Sequence, residues 1–347
     1  MNTKIKRNPE KFDSFELYTK LCAKKSLDIS EYSSVEEIIK TLRVALKENH
    51  KNLNLVFGKR VESMFSTVVA SLGKCRLIKQ EDGGEIFCDE KISVPDFRII
   101  LKDNSSFLVE VKNCHQDPFE YQYSFTQKYY ESVLRYSEIL NCPLKFAIYF
   151  SKLNWWLLLS PDAFVKKGNK YIVEFTDGVQ QNEMLSLGDV WLSTTPPIDI
   201  VLTSDPDKPA YIDKTTGKTN FIIGDVISYC ADRKITNAKE KELIFLFALY
   251  GSWKETAVEP MIEGERLLGI KYRFEPLGDE YSDNGFDHLG QLSSMVSNMS
   301  KMATETNGQV IAVETNREPK SFSILIPENY SSKDLPLWRF MVQPNKG

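Results

Sequence analysis

The opening stretch of the chain places its apolar residues with the period of an α-helix. Ser33 stands three residues before a glutamate and just ahead of an apolar stripe, which is typical of a helix start. An earlier helix is predicted over residues 12–23. A third is predicted over residues 55–72, with Gly73 as its end. Residues 1–52 are therefore predicted to form a helical prefix.

The period of the apolar positions changes to two after residue 90. Residues 92–101 and 106–112 alternate like strands, and the four residues between them favour a turn, so a β-hairpin is predicted. Three further elements are predicted next: a helix over residues 125–140 and strands over residues 144–150 and 155–159. This order of helices and strands predicts a layered α/β fold.

Consecutive prolines, Pro196 and Pro197, mark the predicted boundary between two domains, because they resist both helix and central strand. We predict one domain over residues 53–195 and a second α/β domain over residues 196–347. The elements predicted in the second are strands over residues 198–203 and 267–274 and near Val310 and Ile324, and helices over residues 223–230, 238–253 and 288–304.

Length and composition fit a folded protein of about two domains, since 347 residues include 42% hydrophobic and 27% charged side chains. No apolar run approaches the roughly 20 residues that a membrane span needs, so no membrane association is expected. The first residues lack the apolar core of a secretory signal. A cytoplasmic location is therefore expected.

The charge is unevenly distributed. The whole chain has a formal net charge of -4, whereas residues 1–60 hold 10 Lys and 3 Arg against 8 acidic residues, a balance of +5. A basic end of this kind favours contact with nucleic acid, although solvated helix faces explain it as well. Six scattered cysteines and three histidines offer no zinc motif, so a bound metal would be held by carboxylates, as Mg²⁺ or Mn²⁺ are.

The hairpin carries a set of charged residues that can act together. Asp96 begins one strand, and Glu110 and Lys112 lie near the end of the other, with thirteen residues between the two acids. Because alternate side chains of a strand share a face, Glu110 and Lys112 point the same way while Val111 points into the core. Pairing across the turn can bring Asp96 to the same place.

These residue types suit the hydrolysis of a phosphodiester bond. The carboxylates of Asp96 and Glu110 would bind Mg²⁺, with the Val111 carbonyl as a further ligand. The metal would activate a water molecule, and Lys112 would orient that water and offset negative charge in the transition state.

Pro95-Asp96 followed by Glu110-Val111-Lys112 resembles the motif of the PD-(D/E)XK nuclease superfamily, which includes restriction endonucleases and Holliday junction resolvases. The resemblance covers about residues 55–160. It implies a restriction endonuclease-like core, a central mixed sheet flanked by helices. It also implies an acidic residue in the preceding helix, where Glu62 stands and would help to bind the metal. A polar residue is implied early in the following helix, where Gln127 stands and would support the metal-bound water or a phosphate.

The resemblance implies a metal-dependent endonuclease that cleaves DNA, in restriction and anti-phage defence or in DNA repair, with RNA left open as a substrate. Breaking both strands of a duplex favours two sites, so a homodimer is expected. Two alternatives remain. The domain is a catalytically silent nucleic-acid-binding module, or it is a nuclease gated by a protein partner or a ligand at the C-terminal half.

Overall fold

The protein is described by a computed structural model that covers residues 13–81, 86–116, 122–213, 215–278, 280–315, 326–327 and 329–345. The α-helices in these ranges are α1 (Asp13–Lys25), α2 (Tyr32–His50), α3 (Leu53–Leu72), α4 (Gln127–Ile139), α5 (Phe175–Gln180), α6 (Ala238–Tyr250) and α7 (Leu292–Thr304). Among the described residues, no helix is both long and apolar enough to cross a membrane.

The strands begin with β1 (Cys75–Gln80), β2 (Phe97–Leu101), β3 (Ser106–Cys114), β4 (Gln122–Thr126), β5 (Leu144–Phe150), β6 (Trp155–Leu159), β7 (Val165–Lys167), β8 (Lys170–Glu174), β9 (Trp191–Thr194) and β10 (Ile198–Ser204). They continue with β11 (Tyr211–Ile212), β12 (Thr219–Asn220), β13 (Ile223–Cys230), β14 (Arg233–Ile235), β15 (Lys254–Glu263), β16 (Arg266–Glu275), β17 (Asp287–Gln291), β18 (Glu305–Thr306), β19 (Gln309–Val310) and β20 (Leu337–Phe340).

The first half of the chain is built on a mixed five-stranded sheet in the order β1-β2-β3-β5-β6. Strand β3 pairs antiparallel with β2 and parallel with β5, so it lies at the centre of the sheet. Helix α3 packs on one face, where Phe65 joins a core with Val109. Helix α4 packs on the other face, where Val133 joins a core with Leu108. This confirms the predicted mixed α/β architecture with flanking helices.

Local sequence signals explain the elements that surround the central strand. Asn52 caps α3 by accepting a hydrogen bond from the Leu55 backbone N–H, and Gly73 ends the helix with a left-handed φ of 78°. The turn between β2 and β3 includes Asn104, at a φ of 68°, a conformation that asparagine tolerates better than most residues. The end of the helix and the hairpin are confirmed, but the first strand of the hairpin begins at Phe97 and not at residue 92.

The second half contains an antiparallel sheet in the order β14-β13-β10-β16-β15. The predicted helix over residues 223–230 is wrong, because this segment is strand β13, which pairs with β10 along its length. Its apolar residues suit the sheet, where Val226 faces Leu202 across the ladder. The predicted strand near Val310 is confirmed as β19, whereas the one near Ile324 lies outside the described residues.

The two halves of the chain share buried contacts. Helix α7 packs against α3, and a single apolar cluster includes Phe65 of α3 and Met295 of α7. Strand β9 lies between β17 and β20, so it is completed by strands from late in the sequence. The division at residue 195 stays a prediction, and the core that carries the site is buried partly by later residues.

Candidate active site

Asp96 is held at the point where the ladder between β2 and β3 ends. The last residue pair of this ladder is Phe97 with Val109. Two residues beyond Val109, the Val111 backbone N–H donates to Asp96 Oδ2 at 2.7 Å, so a side chain takes the place of a strand partner. This bond brings the Asp96 carboxylate to the end of β3 that carries Glu110 and Lys112.

Pro95 explains why the ladder stops here. Extending the register by two residues places Pro95 opposite Val111, and proline has no N–H to donate to the Val111 carbonyl. The N–H and C=O of a strand residue point to the same side, so this carbonyl faces the side on which Asp96 lies.

Glu110, Lys112 and Tyr129 form a close hydrogen-bonded group. Lys112 Nζ and the Tyr129 hydroxyl both donate to Glu110 Oε1. Lys112 Nζ also lies 3.3 Å from the Tyr129 oxygen and 5.2 Å from its ring centroid. Glu110 is only 1% exposed, and its Oε2 atom is buried with no hydrogen-bond partner in the described part of the chain. One carboxylate oxygen is therefore fixed and the other unsatisfied.

Burial and neighbouring negative charge both disfavour the ionised form of Asp96. Burial, together with the charge of Glu110, raises the pKa of Asp96 to about 7; Glu62 acts in the same direction, and Lys112 opposes it. Burial alone would lower the pKa of Lys112, but the charges of Glu110 and Asp96 hold it above its ordinary value. Lys112 therefore stays charged at neutral pH.

The other two residues implied by the resemblance lie nearby but make different contacts. Glu62 is 19% exposed and forms an ion pair with Lys59 at 2.7 Å, and its charge adds to the raised pKa of Asp96. Gln127 is the first residue of α4 and donates to Glu131 Oε1 at 2.7 Å. The roles of Glu62 and Gln127 stay predictions.

Tyr129 is the site residue that the sequence reasoning missed. Thr126 caps α4 by accepting the Tyr129 N–H, which fixes the first turn of the helix. Tyr129 then shares a helix face with the fully buried Val133, four residues later, and both face the sheet. The spacing of four residues between Tyr129 and Val133 is the sequence signal that could have identified Tyr129, because it places both side chains on the same face of the helix.

A groove of about 1360 Å³ runs beside Tyr129. Its walls come from residues 86–93, from the start of α4 and from the turn before β8. It contains three exposed lysines, Lys91, Lys128 and Lys170, and two glutamates, Glu90 and Glu131, that form ion pairs with Arg135 and Lys166. A groove with cations of this kind matches the charge of a nucleic-acid backbone.

The donor atoms fit a hard metal ion such as Mg²⁺. Within the residues that the structure describes, no three Asp, Glu, His or Cys side chains converge to bind a metal. Magnesium, however, is commonly held by one or two carboxylates and completed by water and substrate phosphate. The partner-free Glu110 Oε2, the Asp96 carboxylate and the Val111 carbonyl supply such a partial set of ligands.

Comparison with known proteins gives little beyond this geometry. No protein-family model matches the chain, and no curated protein matches it. Among solved structures, a Holliday junction resolvase from the hyperthermophilic archaeon Archaeoglobus fulgidus is similar to part of the chain. The two are 10% identical over 29% of this chain and 75% of the resolvase, with a TM-score of 0.24. The chemistry of the site itself therefore has to indicate the function.

Proposed function

We propose that this protein is a metal-dependent nuclease of the PD-(D/E)XK type that hydrolyses phosphodiester bonds of DNA. The observation that carries the proposal is the buried Glu110 Oε2, which has no partner among the described residues and lies beside an Asp96 whose pKa is raised. Two carboxylates buried together are costly unless a cation joins them.

Each side chain then has a separate task. Asp96, Glu110 and the Val111 carbonyl would hold Mg²⁺ or Mn²⁺, an ion that supplies an activated water and charge neutralisation at phosphate. Lys112, charged at neutral pH, donates hydrogen bonds to the attacking water or to a phosphate oxygen as negative charge develops. Tyr129 positions Lys112 and Glu110 relative to each other.

The surroundings of the site support a nucleic-acid substrate. The groove beside Tyr129 carries exposed lysines, and residues 1–60 are basic. DNA is the substrate that we propose, with restriction, anti-phage defence or repair as its setting, and RNA is the alternative to test. A silent binding module is less well supported, because such a module has no need to bury two carboxylates beside a lysine.

A cleavage assay tests the proposal directly. Purified protein would be incubated with labelled duplex DNA, branched DNA and single-stranded RNA in Mg²⁺, in Mn²⁺ or in EDTA. We expect cleavage of DNA that EDTA abolishes and that Asp96→Asn also removes. Cleavage that persists in EDTA, or in the variant, would contradict the proposed site, and binding without cleavage in either metal would favour the silent module.

We also propose that the protein acts as a homodimer, because a single site cuts one strand of a duplex at a time. Since the apolar core includes residues of both halves, the full chain is the right sample. Light scattering is expected to give twice the mass of the chain. A monomer that still makes double-strand breaks would refute this.

A further inference from the structure

Arg60 is buried in an unusual way for an arginine. It lies on α3 and is 2% exposed, and its Nη2 atom forms an ion pair with Glu305 Oε1 at 2.6 Å. Its Nε and Nη1 atoms are also buried, yet neither has a hydrogen-bond partner within the described ranges. Buried guanidinium donors without acceptors are costly, so this arrangement points to a ligand with several oxygen atoms.

The side chains around Arg60 are mainly cationic. The guanidinium lies 5.9 Å from the centroid of the Phe57 ring, and the Phe57 and His115 rings pack edge to face with their centroids 5.6 Å apart. Burial lowers the pKa of His115, and Arg60, Lys152 and Lys301 lower it further, while Glu305 opposes them. The local balance therefore favours binding of an anion.

Arg60 and Lys301, which we call the cationic cluster, lie with the uncharged imidazole of His115 on the α3 side of the sheet, whereas Tyr129 contacts Glu110 and Lys112 on the α4 side. His115 directly follows β3, three residues after Lys112, so the cationic cluster and the candidate active site lie at the same end of this strand. Three strand residues span about 10 Å. One strand of DNA carries about three phosphates over that length.

We propose that the cationic cluster binds one phosphate of the nucleic-acid backbone at the end of β3 that also carries the candidate active site. In the free protein, the Glu305 carboxylate occupies the position beside Arg60 that this phosphate would take. Arginine binds carboxylate and phosphate with the same pair of N–H donors, so one can replace the other. Glu305 is 24% exposed, which lets it turn towards solvent while Arg60 stays in place. The identity of the ligand as nucleic acid rests on the proposed function.

The placement of Lys301 and Glu305 gives the C-terminal half a role in substrate binding. Lys301 lies in the last turn of α7, with its Nζ 5.4 Å from the Tyr149 ring centroid, and Glu305 follows directly after that helix. Substrate binding would exchange the contact between Arg60 and Glu305 for one between Arg60 and phosphate. The apolar packing of α7 on α3 would stay in place.

Inorganic phosphate tests the site without any cleavage. Thermal unfolding would be followed against phosphate concentration for the wild type, Arg60→Met and Glu305→Gln, because a ligand of the folded state raises its stability. We expect Glu305→Gln to bind phosphate about tenfold more tightly than the wild type, since the competing carboxylate is gone. Arg60→Met is expected to lose saturable binding.

The ion pair between Lys145 and Glu183 provides a matched control. Its atoms lie 2.7 Å apart, and Glu183 is 21% exposed, close to the value for Glu305. Lys145→Met and Glu183→Gln make the same charge changes elsewhere on the protein. We expect both to bind phosphate like the wild type, which separates a local effect from a change in net charge.

The direction of the effects decides between a phosphate site and a structural ion pair. A structural pair would be weakened by either substitution, whereas a phosphate site gains from Glu305→Gln and loses from Arg60→Met. No gain in Glu305→Gln, or a gain equal to that in Glu183→Gln, would overturn the proposal. If Arg60→Met does not fold, Glu305→Gln decides alone.

A second measurement links the site to nucleic acid. Binding of labelled DNA in EDTA would be measured by fluorescence anisotropy at several salt concentrations. Arg60→Met is expected to reduce the slope of log affinity against log salt by about one. If the wild type cleaves DNA but Arg60→Met has the same salt slope as the wild type, the phosphate site is refuted and the proposed function is not. Phosphate binding without any binding or cleavage of nucleic acid would instead remove the proposed function.

Discussion

Asp96 allows the proposed role of the site to be tested through stability as well as activity. In the absence of metal, its carboxylate is held next to Glu110, and its pKa is raised to about 7. Asp96→Asn removes the charge but keeps an oxygen that can accept the Val111 N–H. We therefore expect the variant to lose cleavage by about 100-fold or more while it becomes more stable than the metal-free wild type.

The size of the gain follows from the pKa. A carboxyl with a pKa near 7 in place of its usual value near 4 costs about 4 kcal/mol when it is ionised. Asp96 keeps some contact with solvent, so screening reduces the expected gain to about 2 kcal/mol.

The gain must also depend on pH in one direction. Between about pH 4 and pH 7 the folded wild type keeps a proton on Asp96 that the unfolded chain has lost, so its free energy of unfolding falls as the pH rises. Above about pH 7, Asp96 is ionised in both states and causes no further change in the free energy of unfolding. Asp96→Asn lacks this fall, so the difference between the two proteins grows with pH and then stays constant.

Urea denaturation in EDTA at several pH values measures this difference. Burial also raises the pKa of Asp189 to about 7, but both proteins contain Asp189, so its contribution cancels when their stabilities are subtracted. Added Mg²⁺ should stabilise the wild type and have little effect on the variant. The reasoning is refuted if the variant is less stable than the wild type at pH 8, or if the difference does not change with pH.

Three other substitutions test the remaining roles. Lys112→Ala should lower the cleavage rate by about 100-fold or more while DNA binding in EDTA is largely kept, and a normal rate would contradict its role. Glu62→Gln should weaken cleavage at low metal and be partly rescued by more Mg²⁺ or Mn²⁺; unchanged kinetics at low metal would place α3 outside the site. Tyr129→Phe should lower the cleavage rate about tenfold. It should also lower the free energy of unfolding in urea by about 1.5 to 3 kcal/mol, because Glu110 loses a buried hydrogen-bond donor. An unchanged cleavage rate would make the role of Tyr129 purely structural.

Sequence alone predicted the parts of the site that depend on short-range geometry. A turn of four residues fixes the hairpin register, and that register brings Asp96 to Glu110 and Lys112. Tyr129 escaped prediction because its contacts depend on how α4 is set against β3, which no local pattern specifies. Arg60 and Glu305 are far apart in sequence, so their contact also depends on the tertiary fold.

The error over residues 223–230 has a similar cause. A short apolar run can be buried as a helix or as a strand, and periodicity does not distinguish the two. Pairing with β10 favours a strand, because the ladder satisfies the backbone hydrogen-bonding groups of both segments. The ladder extends from the pair of Ile198 with Cys230 to the pair of Ser204 with Ile223. Such a partner can be identified only once the fold is known.

The packing of α7 on α3 limits how this protein can be recombined with others. The proposed nuclease core would be an attractive part for hybrid enzymes in which a new binding domain selects the target. Cutting this chain after residue 195 would place in water the face of α3 that meets α7, and would strip β9 of both its neighbours. A functional transplant would have to retain α7 as well as β17 and β20, so the new domain is better inserted in a surface turn than exchanged for the C-terminal half.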